Sequence, residues 1–216
     1  MNVVTMTQLI ALIGLAVAAG GLALRWRETS RRALPVDRAP AKGSVGRGVM
    51  YSFTWGMMPW AKESTRTHAV AYLRGVGFHV GIFLGLAALV LSPAWSLLPV
   101  LARQALAVVL ALGAVLGIAG IVMRMTEKHL KAMSTADDYV SVALVSLFLV
   151  FIALAMWDAQ FLAPMYVVAA VMLAYIPLGK IRHCFYFFYS RLFFGRFFGR
   201  RGILPHPVHV RVRGDR

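Results

Sequence analysis

Five stretches of the chain are apolar over enough length to cross a hydrocarbon core of about 30 Å, which takes about 20 helical residues. They cover residues 3–24, 72–91, 101–123, 139–157 and 161–178, and none has an acidic residue in its interior. The expected fold class is an all-α integral membrane protein, a five-transmembrane-helix bundle. Composition agrees: of 216 residues, 60% are hydrophobic and 14% charged, with a mean hydropathy of +0.72. A soluble domain has about half and one quarter, respectively. The excess excludes a cytosolic enzyme built on one buried core. It also excludes a typical nucleic-acid-binding protein, although the net charge is +15. A single cysteine excludes a disulfide framework, a Cys-based iron–sulfur site and a thiolate zinc site.

Basic residues set the expected topology, because short loops rich in Lys and Arg stay cytoplasmic. Arg25, Arg27, Arg31, Arg32, Arg38, Lys42, Arg47, Lys62 and Arg66 follow the first stretch. Arg124, Lys128 and Lys131 follow the third, and the fifth is followed by Lys180, Arg182, Arg191, Arg196 and further arginines to Arg216. On the opposite side, 92–99 and 158–160 have only the flanking Arg103. The N-terminus is therefore expected outside and the C-terminus in the cytoplasm of a bacterial cytoplasmic (inner) membrane. The first stretch lacks the basic flank and small-residue cleavage pattern of a signal peptide and reads as a retained span. The net positive charge is explained by this asymmetry and by attraction to anionic lipid.

Residues 1–200 read as one membrane domain and 201–216 as a basic cytoplasmic tail. The 25–48 stretch, with Pro35, Pro40, Gly43, Gly46 and Gly48, reads as a polar connection. MYSFTWGMMPW at 50–60 is too short to span and reads as an interfacial segment. The 62–74 stretch leads into the second span as its cytoplasmic extension. Residues 179–200 form a basic aromatic extension of the fifth span. Its sequence FYFFYSRLFFGRFFGR fits an amphipathic helix lying on the inner leaflet or a platform for a peripheral subunit.

Among six histidines, His79 is the one well inside a stretch, about two turns from its cytoplasmic end and among Gly75, Gly77, Gly81 and Gly85. Ionisable residues at membrane depth are costly and point to function. Small residues around a buried imidazole let a flat group reach the helix backbone, or let another helix pack closely. His183 closes the fifth stretch. The second and fifth spans run in opposite directions, so both histidines are expected at matched depth. Two imidazoles on facing helices form the bis-axial pair of a b-type haem. Arg74, Lys180 and Arg182 at the rim are candidate partners for propionates. Otherwise His79 is a core histidine bonded to a carbonyl, and His183 is an interfacial residue reaching the head groups. His68, eleven residues before His79, shares its helix face about three turns lower. His68 and His129 read as loop histidines in water, with a second haem as the weaker alternative. His206 and His209 read as non-ligands. His68, Glu63, Asp137 and Asp138 are candidate proton partners, each with a solvated-loop reading beside it.

RGVGFHVGIFLG around His79 and YIPLGKIRH ending at His183 resemble the gamma-subunit family of respiratory nitrate reductases. That family includes the membrane cytochromes b of sulfite-reductase-associated complexes. KHLKAMSTADDY before the fourth span is similar in style, and the resemblance covers most of 3–200. It implies a haem b protein passing electrons between quinone or menaquinone and a cytoplasmic iron–sulfur subunit, with further membrane or periplasmic subunits allowed. His79 and His183 match the ligands of the haem nearer the cytoplasm. The family's outer haem takes ligands deeper in the same two helices, but 84–91 and 161–175 contain no histidine, so one haem b is expected. The expected role is an electron-transfer subunit of an oxidoreductase complex, with no site of its own for reducing a soluble substrate. The alternative is a haem-free membrane anchor or small transporter whose histidines line a polar path.

Overall fold

The computed structural model describes residues 2–33, 36–61 and 68–204; the expectations placed on Glu63, His206 and His209 lie outside them. Most of the described residues are helical: α1 (Val3–Ser30), α2 (Val45–Phe53), α3 (Ala69–Val90), α4 (Val100–Thr126), α5 (Lys128–Met133), α6 (Ala136–Trp157), α7 (Leu162–Tyr175) and α8 (His183–Arg200). Four of them, α1, α3, α4 and α6, are long and apolar enough to cross a membrane. A fifth crossing is reached if the broken pair Ala159–Tyr175 and Lys180–Arg200 counts as one. In hydrocarbon a helix satisfies its own backbone, which is why uniform apolar runs of this length adopt it.

The boundaries differ from the sequence reading in three places. α1 continues to Ser30 through Arg25, Arg27 and Glu28, helped by an Arg25–Glu28 ion pair of 3.2 Å one turn apart. The fifth stretch is helical only over Leu162–Tyr175, 14 residues or about 21 Å, because Pro177 and Gly179 end it in a turn. The 25–48 connection gives way to a helix at Val45, whose first turn is capped by the Ser44 side chain accepting from the Arg47 amide at 3.4 Å.

The chain packs as two units where the linear reading drew one domain over 1–200. One unit is Met1–Thr29 with Val70–Arg182, the other Ser30–Ala69 with His183–Arg216. In the first, helices cross at small residues. A Cβ at Gly81 of α3 would lie 3.0 Å from the Gly113 Cα of α4, and one at Gly14 of α1 would lie 2.9 Å from the Ala170 carbonyl oxygen of α7. Between them Leu110, Phe148, Leu149, Ile152 and Met165 are completely buried. α6 is central to this core, packing on both α4 and α7.

The second unit is a helix pair, α2 against α8. Gly48 meets Gly195 and Gly199 so closely that a Cβ there would lie 2.3 Å from the Gly195 carbonyl oxygen. The fully buried Ser52 has its hydroxyl within reach of two carbonyls, Val49 at 2.8 Å and Arg191 at 2.9 Å. The C-terminus of α8 is closed from both sides of the chain. The Lys42 and Gly43 amides donate to the Arg200 carbonyl at 2.9 Å each, and the Ile203 amide returns to Phe198 across Gly202. Gly202 has φ of 71°, the left-handed conformation that favours glycine after a helix. Asp37 completes the closure by accepting from Arg200 at 2.9 Å and Arg201 at 2.7 Å. Its hydrogen bonds from Arg201 and the Ala39 amide hold this carboxyl well below the usual range. A lowered folded-state value contributes stability above the unfolded-state pKa, near 3.9, and loses it as pH falls through the folded value. Proteolytic resistance of the unit is therefore expected to stay flat from neutral pH to about 4 and to decline in stronger acid; Asp37→Asn should remove that acid limb.

Candidate functional site

α3 has two chemically distinct faces. Phe78, Gly81, Gly85 and Ala88 are buried, with Gly81 and Gly85 against α4 and α6. Turned away from them are Tyr72, Gly75 and His79, spaced three and four residues apart and thus on one face. The glycines around His79 therefore divide. Gly77, Gly81 and Gly85 receive side chains or backbone of the neighbouring helices, while a Cβ at Gly75 would meet nothing within 4 Å. The buried imidazole expected from the sequence is corrected here: His79 is exposed, because the glycine stripe and not the histidine faces the core.

The His79 ring is oriented by its own helix. Nδ1 lies 2.7 Å from the Gly75 carbonyl oxygen. A carbonyl only accepts, so Nδ1 is the donor in this bond. A backbone carbonyl fixes the tautomer and orientation of many metal-binding histidines in the same way. The same bond was the mark of the core-histidine reading, but the ring's exposure does not fit a core position. In chemistry the residue fits a haem ligand: an imidazole whose Nδ1 is held by a backbone carbonyl, beside a glycine that adds no bulk.

The other expected ligands fall as follows. His183 is the first residue of α8, exposed, and belongs to the second unit. His68 is exposed in the turn just before α3. His129 is exposed in α5, its Nε2 3.3 Å from Glu127. Arg74 is half-buried and donates through Nη1 to the Leu116 carbonyl at 3.3 Å. A Cβ at Gly120 would lie 2.2 Å from that nitrogen, so the glycine opens the notch that admits the guanidinium. Arg74 Nε is buried without a hydrogen-bond partner in the described structure. Lys180 Nζ lies 2.5 Å from Asp138 Oδ2, so an internal carboxylate already balances it. Arg182 is half-buried at the end of the Lys180–Arg182 turn.

Asp137 and Asp138 leave the solvated loop in which one reading placed them. Both lie in the first turn of α6, where Thr135 and Asp138 form a reciprocal capping box. Asp138 also faces Arg124 at 3.9 Å. Asp137 accepts from the Tyr175 hydroxyl in a short hydrogen bond and from Ser141 at 3.0 Å, tying the start of α6 to the end of α7. Sequence reasoning missed Tyr175 and Ser141, but Thr135-Ala-Asp-Asp138 before an apolar run is the sequence signature of a capping box. Removing the Tyr175 hydroxyl in Tyr175→Phe is expected to lower the unfolding midpoint, because the Asp137 carboxylate loses a hydrogen bond. Thermal unfolding in detergent would read it, and an unchanged midpoint would show that the other partners of Asp137, Ser141 among them, hold it without Tyr175.

No family model, curated protein or solved structure matches the chain. The function is therefore argued from the residues. Among those described, no three His, Cys, Asp or Glu side chains gather as a site for a bare metal ion, whereas a haem iron takes only two protein ligands.

Proposed function

We propose that the chain is the membrane cytochrome b subunit of a respiratory oxidoreductase in a bacterial cytoplasmic membrane, with its N-terminus outside and C-terminus inside. In this role it passes electrons between the quinone pool and a cytoplasmic iron–sulfur partner. The reading is carried by His79: an imidazole oriented by the Gly75 carbonyl at 2.7 Å, exposed on a helix that is apolar apart from it, Tyr72 and Arg74. Ionisable residues at membrane depth point to function. The resemblance of the segments around His79 and His183 to the nitrate reductase gamma-subunit family points the same way.

The roles divide by residue. His79 presents Nε2 to the iron, and His183 is the proposed second ligand. Haem b, when bound, supplies reversible one-electron transfer, which the protein tunes through its ligands and the polarity around them. Arg74 and Arg182 are the proposed propionate partners, and Lys180 serves first to clamp Asp138. Asp137, held by the Tyr175 and Ser141 hydroxyls, is the proposed proton partner for quinone chemistry.

The test is a reduced-minus-oxidised visible spectrum of the purified chain with a pyridine haemochrome assay. About one haem b per polypeptide is expected from one histidine pair. A stoichiometry near two would bring in His68 or His129, and none would leave the haem-free anchor or small transporter as the reading.

A further inference from the structure

We infer that the second unit docks onto an anionic phospholipid surface, with Trp55 and Trp60 at head-group level and its exposed arginines on lipid phosphates. The glycine crossing of α2 and α8 is the origin of that surface. Because Gly48, Gly195 and Gly199 bring backbone against backbone, the bulky side chains of both short helices are turned outward. Phe188 on α8 is 59% exposed, and in the two short turns that follow α2 Trp55 is 52% and Trp60 55% exposed. The two tryptophans pack edge to face at 5.8 Å, and Phe53 stacks on Phe188 at 6.3 Å.

Cations are interleaved with these rings. Phe193 and Arg196, one turn apart on α8, are both exposed, as are Arg47 and Met50 on α2. Arg191 sits 5.7 Å over the Phe187 ring. Asp37 is the sole acidic side chain among the unit's described residues, and Arg200 and Arg201 hold it. Arginine alone would suit an acidic protein or a lipid head group equally. Exposed tryptophan and phenylalanine within a turn of arginine favour the lipid interface, where an amphipathic ring and a phosphate are met at the same depth. α2, with 9 residues, is too short to cross, and α8 carries Arg191, Arg196 and Arg200, which suit an interface better than hydrocarbon. The chain also enters the unit from α1 and leaves it into α3, both candidate spans, which keeps it close to a bilayer.

The experiment uses the full chain in lipid nanodiscs and follows the tryptophan emission that Trp55→Phe/Trp60→Phe removes. That component is expected to be quenched severalfold more strongly by lipid brominated just below the head group than by acrylamide in the water. Replacing zwitterionic lipid with anionic phosphatidylglycerol should shift it to shorter wavelength, and Arg47→Gln/Arg196→Gln, with unchanged helical circular dichroism, should abolish the shift. Acrylamide quenching as strong as for free indole, with no response to lipid charge, would overturn the inference and leave the face to an acidic protein partner. The readout does not depend on haem, so its failure and that of the proposed cytochrome function are separable.

Discussion

A chain carrying His79→Ala is expected to emerge from the membrane without haem b, its reduced-minus-oxidised spectrum flat in the α-band region. His183→Ala should do the same, because an iron held by one protein imidazole loses half of its axial ligation. A truncation alone does not separate lost ligation from a damaged helix, and Gly75→Leu does so. The carbonyl that orients His79 is backbone and survives that substitution, and a Cβ at Gly75 meets no protein atom within 4 Å, so α3 should fold and pack as before. The new side chain does, however, occupy the face beside the imidazole. Haem content should fall severalfold while the helical circular dichroism of the chain stays as in the parent. If Gly75→Leu keeps full haem, the macrocycle does not lie on this face, and His79 is oriented for another purpose.

The second large effect belongs to Gly48. A Cβ there would lie 2.3 Å from the Gly195 carbonyl oxygen and 2.5 Å from the Gly199 Cα. Both are backbone atoms that no rotamer change can move aside. Gly48→Leu should therefore cost about 1–3 kcal/mol or more as overpacking, enough to part α2 from α8. Limited proteolysis should then cut within 30–69 much faster than in the parent chain. Gly46→Leu, two residues away where a Cβ meets nothing within 4 Å, is the matched control and should cut at the parental rate. Equal cutting in both variants would mean that the pair does not hold the segment in place.

The apolar helices were legible because hydropathy over about twenty residues is a one-dimensional property. The stretches at 72–91, 101–123 and 139–157 fall within three residues of the ends of α3, α4 and α6. The fifth was less legible, since mean hydropathy does not register what Pro177 and Gly179 do to a backbone. His79 could be singled out from sequence, but not its exposure. Which side of α3 faces inward depends on Gly113 and Leu149 of other helices receiving Gly81 and Gly85. The α2–α8 pair was missed altogether, although Gly195-Arg-Phe-Phe-Gly199 is a GxxxG sequence and Ser44, Gly48 and Ser52 repeat every four residues. Each half looks unremarkable alone, and the partner lies far away in the chain. Asp138 was in view as a carboxylate, while its capping role depended on reading Thr135 with it.

The bond from Ser52 to the Arg191 carbonyl joins residues 139 positions apart, and this has a consequence for biosynthesis. At about 5–20 residues per second, α2 leaves the ribosome roughly 7–30 s before the helix that covers its glycine stripe has been made. During that interval every apolar helix between them must be inserted, while the stripe stays open to any other small-residue helix nearby. The order of synthesis thus delays the closing of this helix pair until the apolar helices between its two halves have been made.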